Sequence, residues 1–417
     1  MNEIITQRID TVHRGEVPEG YHIEFGYLIP DEWKTIPMNN RFTRSVSKNK
    51  SGCDNVLTIS AQMGLVNQRE FYDKDIASED KSGYFLLKNG EFAYNKSYST
   101  GYPYGAIKQL TKYNEGIVSP LYICFSPKVE TNTAFYTQYF EGGQYNREIY
   151  RIAQEGARNH GLLNIAVEDF FAGTLIEPPL AEQQKIAEIL STCDRVIELK
   201  QQLLDEKRRQ KQWLMQMLLD PDSGVRLPGF EDEWSTRTFN DICVFINGRA
   251  YKQDELLEVG KYPVLRVGNL FTKSEWYYSD MELPSHMYID NGDLIYAWSA
   301  SFGPRIWQGN KVIFHYHIWK VMPSEYVCKE YLYQYFQYDV DLLNREQQGG
   351  TMAHITKETM EKRLCRYPTL PEQKRISEIL NAADRDIALT EQELEAWQQK
   401  KKALMQLLLT GLVRVNA

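Results

Sequence analysis

Residues 180–219 read LAEQQKIAEILSTCDRVIELKQQLLDEKRRQKQWLMQMLL, and residues 370–409 read LPEQKRISEILNAADRDIALTEQELEAWQQKKKALMQLLL. The two align without a gap at an offset of 190 residues, with about half of the positions identical. The offset holds a little way upstream, setting Pro178 on Pro368 and Asn164-Ile165 on His354-Ile355. Further upstream it drifts to about 202, where Asp31-Glu32-Trp33 resembles Asp232-Glu233-Trp234 and NGEFAY (89–94) resembles NGDLIY (291–296). The chain is a duplicated unit, an irregular domain followed by one long conserved segment, and the two domains differ by loop insertions and deletions.

Both conserved segments have the period of helices. Apolar residues recur at a 3/4 spacing at Ile186, Leu190, Cys193, Ile197, Leu204, Leu214 and Leu218, and again at Ile376, Leu380, Ala383, Ile387, Leu394, Leu404 and Leu408. Lys200, Lys207 and Lys211 interrupt the first stripe and Thr390 and Lys401 the second; such positions weaken a seam but fix its register. Pro178-Pro179 and Pro371 mark the starts, Asp220-Pro221 and Gly411 the stops. About 38 residues at about 1.5 Å each make a rod of roughly 57 Å, which cannot bury its own stripe. The simplest solution packs the two helices antiparallel as a coiled coil with a globular domain at each end, because duplicated units mimic symmetric dimers. The alternative packs each helix only on its own domain.

The remaining sequence is rich in short β-branched and aromatic runs bounded by turn residues: NVLTISAQMG, GYFLL, EFAYN and SPLYICF in the first half, YPVLRVGNL, DLIYAW and FHYHIWKV in the second. Helical stretches follow late in each half, at 133–150 and 328–343. The expected fold is α+β: two globular α/β domains in pseudo-two-fold tandem at 1–178 and 221–369, separated by long antiparallel helices at 179–220 and 370–417.

Composition narrows the function. With 417 residues, 42% hydrophobic and 25% charged, the chain has the profile of a multidomain globular protein. No apolar run reaches the roughly 18 residues of a membrane span and the N-terminus lacks the apolar stretch of a signal peptide, so a cytoplasmic location is expected. The 6 cysteines form no C-x-x-C pair, which argues against a zinc site or a disulfide framework. The net charge of -8 disfavours a uniformly basic nucleic-acid binder, so charge has to be read locally.

Signatures for dinucleotide, ATP and helix-borne zinc binding are absent. Glu177-Pro178-Pro179-Leu180 lacks both the leading amide or acid and the aromatic of an adenine methyltransferase loop, and reads as a helix start. Asp31 and Glu32 are adjacent in Pro30-Asp31-Glu32-Trp33-Lys34, which suits a surface turn better than a nuclease metal site. His315 and His317 share a strand face without a third ligand nearby, so a packed or DNA-facing strand is expected. No catalytic, cofactor-binding or metal-binding set is expected in this chain.

The residues that stand out suit DNA. Arg41, Arg44, Lys48 and Lys50 lie among hydroxyls and an amide with no acid between them, the mixture used on phosphates and base edges. Lys96, Ser97, Tyr98, Tyr102 and Tyr104 occupy a glycine-containing loop after a strand, matched in the second half by Trp298, Ser299 and Arg305. Before each long helix come Arg158-Asn159 and the stretch containing Arg345, Gln348 and Thr351; Arg, Asn and Gln read guanine and adenine bidentately in the major groove. Taken one at a time, these are also ordinary solvated loops.

The motif L-P/A-E-Q-x-x-I-x-E-I-L, occurring twice at this spacing, resembles the conserved regions of specificity subunits of type I restriction-modification systems, and the order of domains matches that family along the whole chain. The resemblance implies a non-catalytic subunit in which each domain reads one half of a bipartite, asymmetric target in double-stranded DNA. It implies two methyltransferase (modification) subunits as partners, which methylate adenine at N6 with S-adenosylmethionine, and translocating, cleaving restriction subunits that use ATP and Mg. A DNA-binding adaptor or coiled-coil scaffold for another partner, and an intrinsic methyltransferase, are the competing readings.

Overall fold

The computed structural model describes residues 3–415 apart from 61–62, 73–79, 99–100, 154–162, 272–274, 300 and 347–354; the side chains of 301 and 344–346 are also outside the description. The chain divides into two compact units: residues 1–199 with 394–417, and residues 200–393. The division falls inside the long helices, Leu180–Leu219 and Leu370–Leu408.

Each unit is built on the same frame. In the first, an antiparallel four-stranded sheet runs in the order Phe42–Arg44, Ile123–Pro127, Phe92–Asn95, Ala106–Gln109. In the second the order is Cys243–Asn247, Ile318–Pro323, Leu294–Ser299, Ser301–Ile306, again antiparallel. A two-stranded ribbon stands beside each sheet, Lys34–Pro37 with Thr174–Glu177 and Ser235–Thr238 with Leu364–Tyr367. The helical stretch near 133–150 is two helices, Thr133–Glu141 and Asn146–Ile152, because Gly142-Gly143 breaks it and Gly143 takes a left-handed φ of +71°. Its partner in the second unit, Lys329–Glu346, has no such glycine pair and runs on.

Both long helices enter both cores. In the first unit Ile186, Ala187 and Leu190 of the first long helix and Met405, Leu408 and Leu409 of the second share one buried cluster with Phe42, Phe92, Phe125, Tyr136 and Phe170. In the second unit Met215, Leu218 and Leu219 share a cluster with Ile376, Leu380, Phe245, Trp319 and Phe336. Within each unit the start of one helix thus lies with the end of the other, an antiparallel arrangement. Leu204 and Leu394 are buried, whereas Ile197, Ile387, Leu214 and Leu404 are half-buried. The polar positions of the stripes are paired: Lys200 with Glu393 at 2.6 Å, Lys207 with Asp386 at 2.7 Å and Thr390 at 3.0 Å, Lys211 with Asp384, and Lys401 with Asp194. Gln138 also donates to Asp194 and Gln334 to Asp384, each at 2.7 Å, so the same Gln–Asp–Lys network occurs once per unit.

The repeated E-Q has a structural reason. Glu182 and Glu372 lie in the first turn of their helices, where a carboxylate suits the helix dipole, and both are buried. Arg414, just past the end of the second long helix, donates to Glu182 at 2.8 and 2.9 Å; Arg226, just past the end of the first, donates to Glu372 at 3.0 and 2.7 Å. Each unit is therefore closed by an arginine that follows one helix and grips the start of the other. The following glutamines donate back to the carbonyls that precede the helices, Gln183 to Pro178 at 2.8 Å and Gln373 to Pro368 at 2.9 Å. Gly411, with φ +72°, makes the turn that aims Arg414; a Cβ there would lie 2.6 Å from Pro30 Cγ.

Candidate nucleic-acid interface

Outside the common frame the two units differ. The outer lobe of the first unit pairs Leu57–Ser60 with Gly64–Asn67 and Phe85–Lys88 with Glu115–Val118, over a small core of Leu57, Leu65, Leu87, Leu110 and Val118. The outer lobe of the second is a four-stranded sheet in the order Tyr277–Ser279, Tyr262–Leu265, Val312–Phe314, Tyr288–Ile289, and its central pair is parallel.

In the first unit the basic stretch 41–50 splits into two roles. Arg41 donates through Nε to Glu177 Oε1 at 2.9 Å and pairs with it again through its terminal nitrogen; Glu177 is buried, so this guanidinium is committed to the frame. Arg44 lies exposed on the edge strand, and Lys50 is exposed. Lys48 is exposed too, donating to the Gly83 carbonyl at 2.7 Å with its ammonium 4.0 Å from the centre of the Phe85 ring. In the loop that follows Phe92–Asn95, Lys96 and Ser97 are half-buried and Tyr98 is 66% exposed. Tyr102 points inward, donating to Glu141 at 2.8 Å beside Lys108, and burial together with that carboxylate raises its pKa. Tyr104 is half-buried, with its carbonyl accepting from the Tyr94 hydroxyl at 2.8 Å. Arg158 and Asn159 lie outside the described residues.

In the second unit Trp298 is half-buried at the end of its strand, stacked on Trp319 at 5.8 Å. Ser299 is buried, and Arg305 is exposed with its guanidinium 5.0 Å from the centre of the Phe271 ring. Arg345 is on the helix Lys329–Glu346 with its side chain outside the description, as are Gln348 and Thr351 altogether. Solvent-facing candidates are thus Arg44, Lys48, Lys50 and Tyr98 in one unit and Arg305 in the other. Arg226 and Arg414 were not legible as partners of Glu372 and Glu182, because the pairs join distant parts of the chain; the only signal is a Val-Arg dipeptide after each long helix. Among the described residues no group of three His, Cys, Asp or Glu could hold a metal ion, and no helix is long and apolar enough to cross a membrane.

Residues 36–206 and 231–398 match the type I restriction modification DNA specificity domain, one copy in each half of the duplication. The chain belongs to this family. Among curated relatives, this specificity-domain protein is 24% identical over 267 residues to the type I restriction enzyme MjaVIII specificity subunit of Methanocaldococcus jannaschii, covering 57% of this chain and 62% of that one. It is 22% identical over 189 residues to the EcoBI specificity subunit of Escherichia coli, covering 45% of this chain and 40% of that one. The chain thus spans less than two thirds of the length of these relatives. Its fold is similar to that of a chain in a structure describing complex assembly and conformational transition of the type I R-M system (TM-score 0.58, 14% identity, covering 93% of this chain and 100% of that one). It is also similar to the type I restriction-modification S subunit from M. genitalium (TM-score 0.52, 15% identity, covering 90% and 96%).

Proposed function

We propose that this chain is the non-catalytic, DNA-reading specificity subunit of a type I restriction-modification complex, each unit reading one half of a bipartite asymmetric target. The observation that carries this reading is the contrast within the duplication: frame sheet, ribbon and helix lock are repeated, while the outer lobes have different strand orders. A scaffold that only held partners would have no use for two unlike lobes on one frame, whereas a reader of two unlike half-sites requires them. Arg44, on the edge of the first frame sheet, with Lys48 and Lys50 just after it, supplies phosphate and base-edge donors in the first unit, and Arg305, on the edge strand of the second frame sheet, does so in the second.

The chemistry is supplied by partners acting in the cytoplasm: two modification subunits that use S-adenosylmethionine to methylate adenine at N6, and restriction subunits that use ATP and magnesium. The helices act as a ruler for the spacer between half-sites. Sequencing the methylome of a host with and without this chain tests the reading. A bipartite adenine-methylated motif present only with the chain is expected; no motif that depends on it overturns the reading.

A further inference from the structure

The second unit carries a tripeptide that the shared frame does not require. His315-Tyr316-His317 joins the outer-lobe strand Val312–Phe314 to the frame strand Ile318–Pro323. Its backbone is fixed by three separate segments. The His315 N–H donates to the Leu265 carbonyl at 2.9 Å and the Tyr316 N–H to the Arg249 carbonyl at 3.0 Å. Trp298 donates its backbone N–H to the His317 carbonyl at 3.1 Å and its indole N–H to the Tyr316 carbonyl at 2.9 Å. Gly248 packs so closely that a Cβ on it would lie 2.4 Å from the His315 oxygen. A turn held through its main chain in this way needs no particular side chains.

The side chains it carries nevertheless form a graded surface. Tyr296 and Trp319 are buried and stacked at 5.8 Å, and Trp298 stacks on Trp319 at 5.8 Å as the outermost rung. The His317 ring meets Trp298 edge-on at 5.0 Å, and the His315 ring lies 4.9 Å from that of His317. Tyr316 is 39% exposed beside them. The equivalent connection in the first unit, Ser119-Pro120-Leu121-Tyr122, has neither imidazole nor cation.

We infer that His315, Tyr316 and His317, on the platform of Trp298, contact base edges in the half of the DNA target read by the second unit. The inference rests on the proposed function and assigns it a specificity-determining site. A neutral imidazole carries one donor and one acceptor, the combination that distinguishes base edges in the major groove. Burial, helped by His317 and Arg266, pushes His315 down to about 4, so it stays in that neutral form at physiological pH. A backbone held by its own hydrogen bonds presents these groups without reorganisation on binding.

The test is selection of bound duplexes from a randomised pool by the full-length chain, co-purified with its modification partner, as wild type, His317→Ala, His317→Gln and Tyr316→Phe. The expected result is a loss of roughly 5- to 100-fold in base discrimination at one or more positions of one half-site for His317→Ala. His317→Gln is expected to change the preferred base there, with the other half-site unchanged in every variant. The unchanged half also reports that the variant is folded. Unchanged preferences in all three variants, or equal weakening at both halves, overturn the inference. A wild-type chain that selects no sequence overturns the proposed function instead.

Discussion

The two units carry the same lock with different reinforcement. In the first, Glu182 accepts from Arg414 and also from the indole of Trp33 at 2.8 Å. In the second, Glu372 accepts from Arg226, while the indole N–H of Trp234, the counterpart of Trp33 in the repeated Asp-Glu-Trp, is buried without a partner. The first unit also ties its early residues to the segment after the second long helix: Arg8 donates to the Leu412 carbonyl at 2.8 Å and the Tyr21 hydroxyl to that of Gly411 at 2.6 Å. The difference teaches that the lock is the common device and its second donor is dispensable where chain continuity does the same work. In the second unit the segment 220–234 passes without interruption from the end of the first long helix to the ribbon; in the first, the residues that meet at the lock, 8–33 and 411–414, are far apart in sequence.

The largest expected effect breaks that comparison directly. Arg226→Ala leaves a buried carboxylate without its cation and should destabilise the second unit by about 3–5 kcal/mol. Arg414→Ala leaves the Trp33 donor in place, so the loss in the first unit should be smaller by roughly the 1.5–3 kcal/mol of a hydrogen bond to a charged group. Hydrogen exchange resolved by unit, across a urea series, measures both; equal losses would show that the indole contributes nothing.

The glutamines sharpen the same contrast at smaller scale. Gln373 bonds Pro368 and Tyr326 carbonyls and the Cys328 N–H through its side chain, each at 2.9 Å, whereas among the described residues the Gln183 side chain bonds the Pro178 carbonyl. At about 1–3 kcal/mol for a buried group left unpaired, Gln373→Ala should weaken its unit more than Gln183→Ala weakens the other. The same exchange experiment checks the order.

The smallest effect is a pH dependence. After the ribbon strand of the second unit, Thr238 and Asp241 form a capping box, and hydrogen bonds from the Thr238 side chain and backbone hold the Asp241 carboxyl below its ordinary range. Stability from this cap is present above the unfolded carboxylate value and is lost as pH falls through the lowered one. The corresponding turn at Met38–Asn40 has no side-chain cap. A titration monitored by exchange at residues 238–242 should show the acid loss in wild type and none in Asp241→Ala.

Much of this architecture was legible in the sequence because it is local or repeated. The period of the long helices, the strands at 92–95 and 294–299 and the family motif all follow from short spacings. What was not legible depends on contacts between distant residues. Ile186, Leu190, Ile376 and Leu380 read as a seam between helices, yet each also fills the core of a globular domain, since period shows which face is apolar but not what covers it. Arg41 read as a DNA contact from its unopposed charge, but its partner Glu177 is 136 residues away. The outer lobes gave no common signal because they do not share a strand order.

The continuity of the first long helix invites a geometric test as well: four inserted residues add about 6 Å of helix and should lengthen the recognised spacer by one or two base pairs, seen by methylation mapping. The most direct test of the central claim, two unlike readers on one repeated frame, is to replace only the outer lobe of the first unit with that of another specificity subunit and map the methylated motif. One half of the target should change while the other half and the spacer stay as they were. A change in both halves, or in neither, would contradict the account.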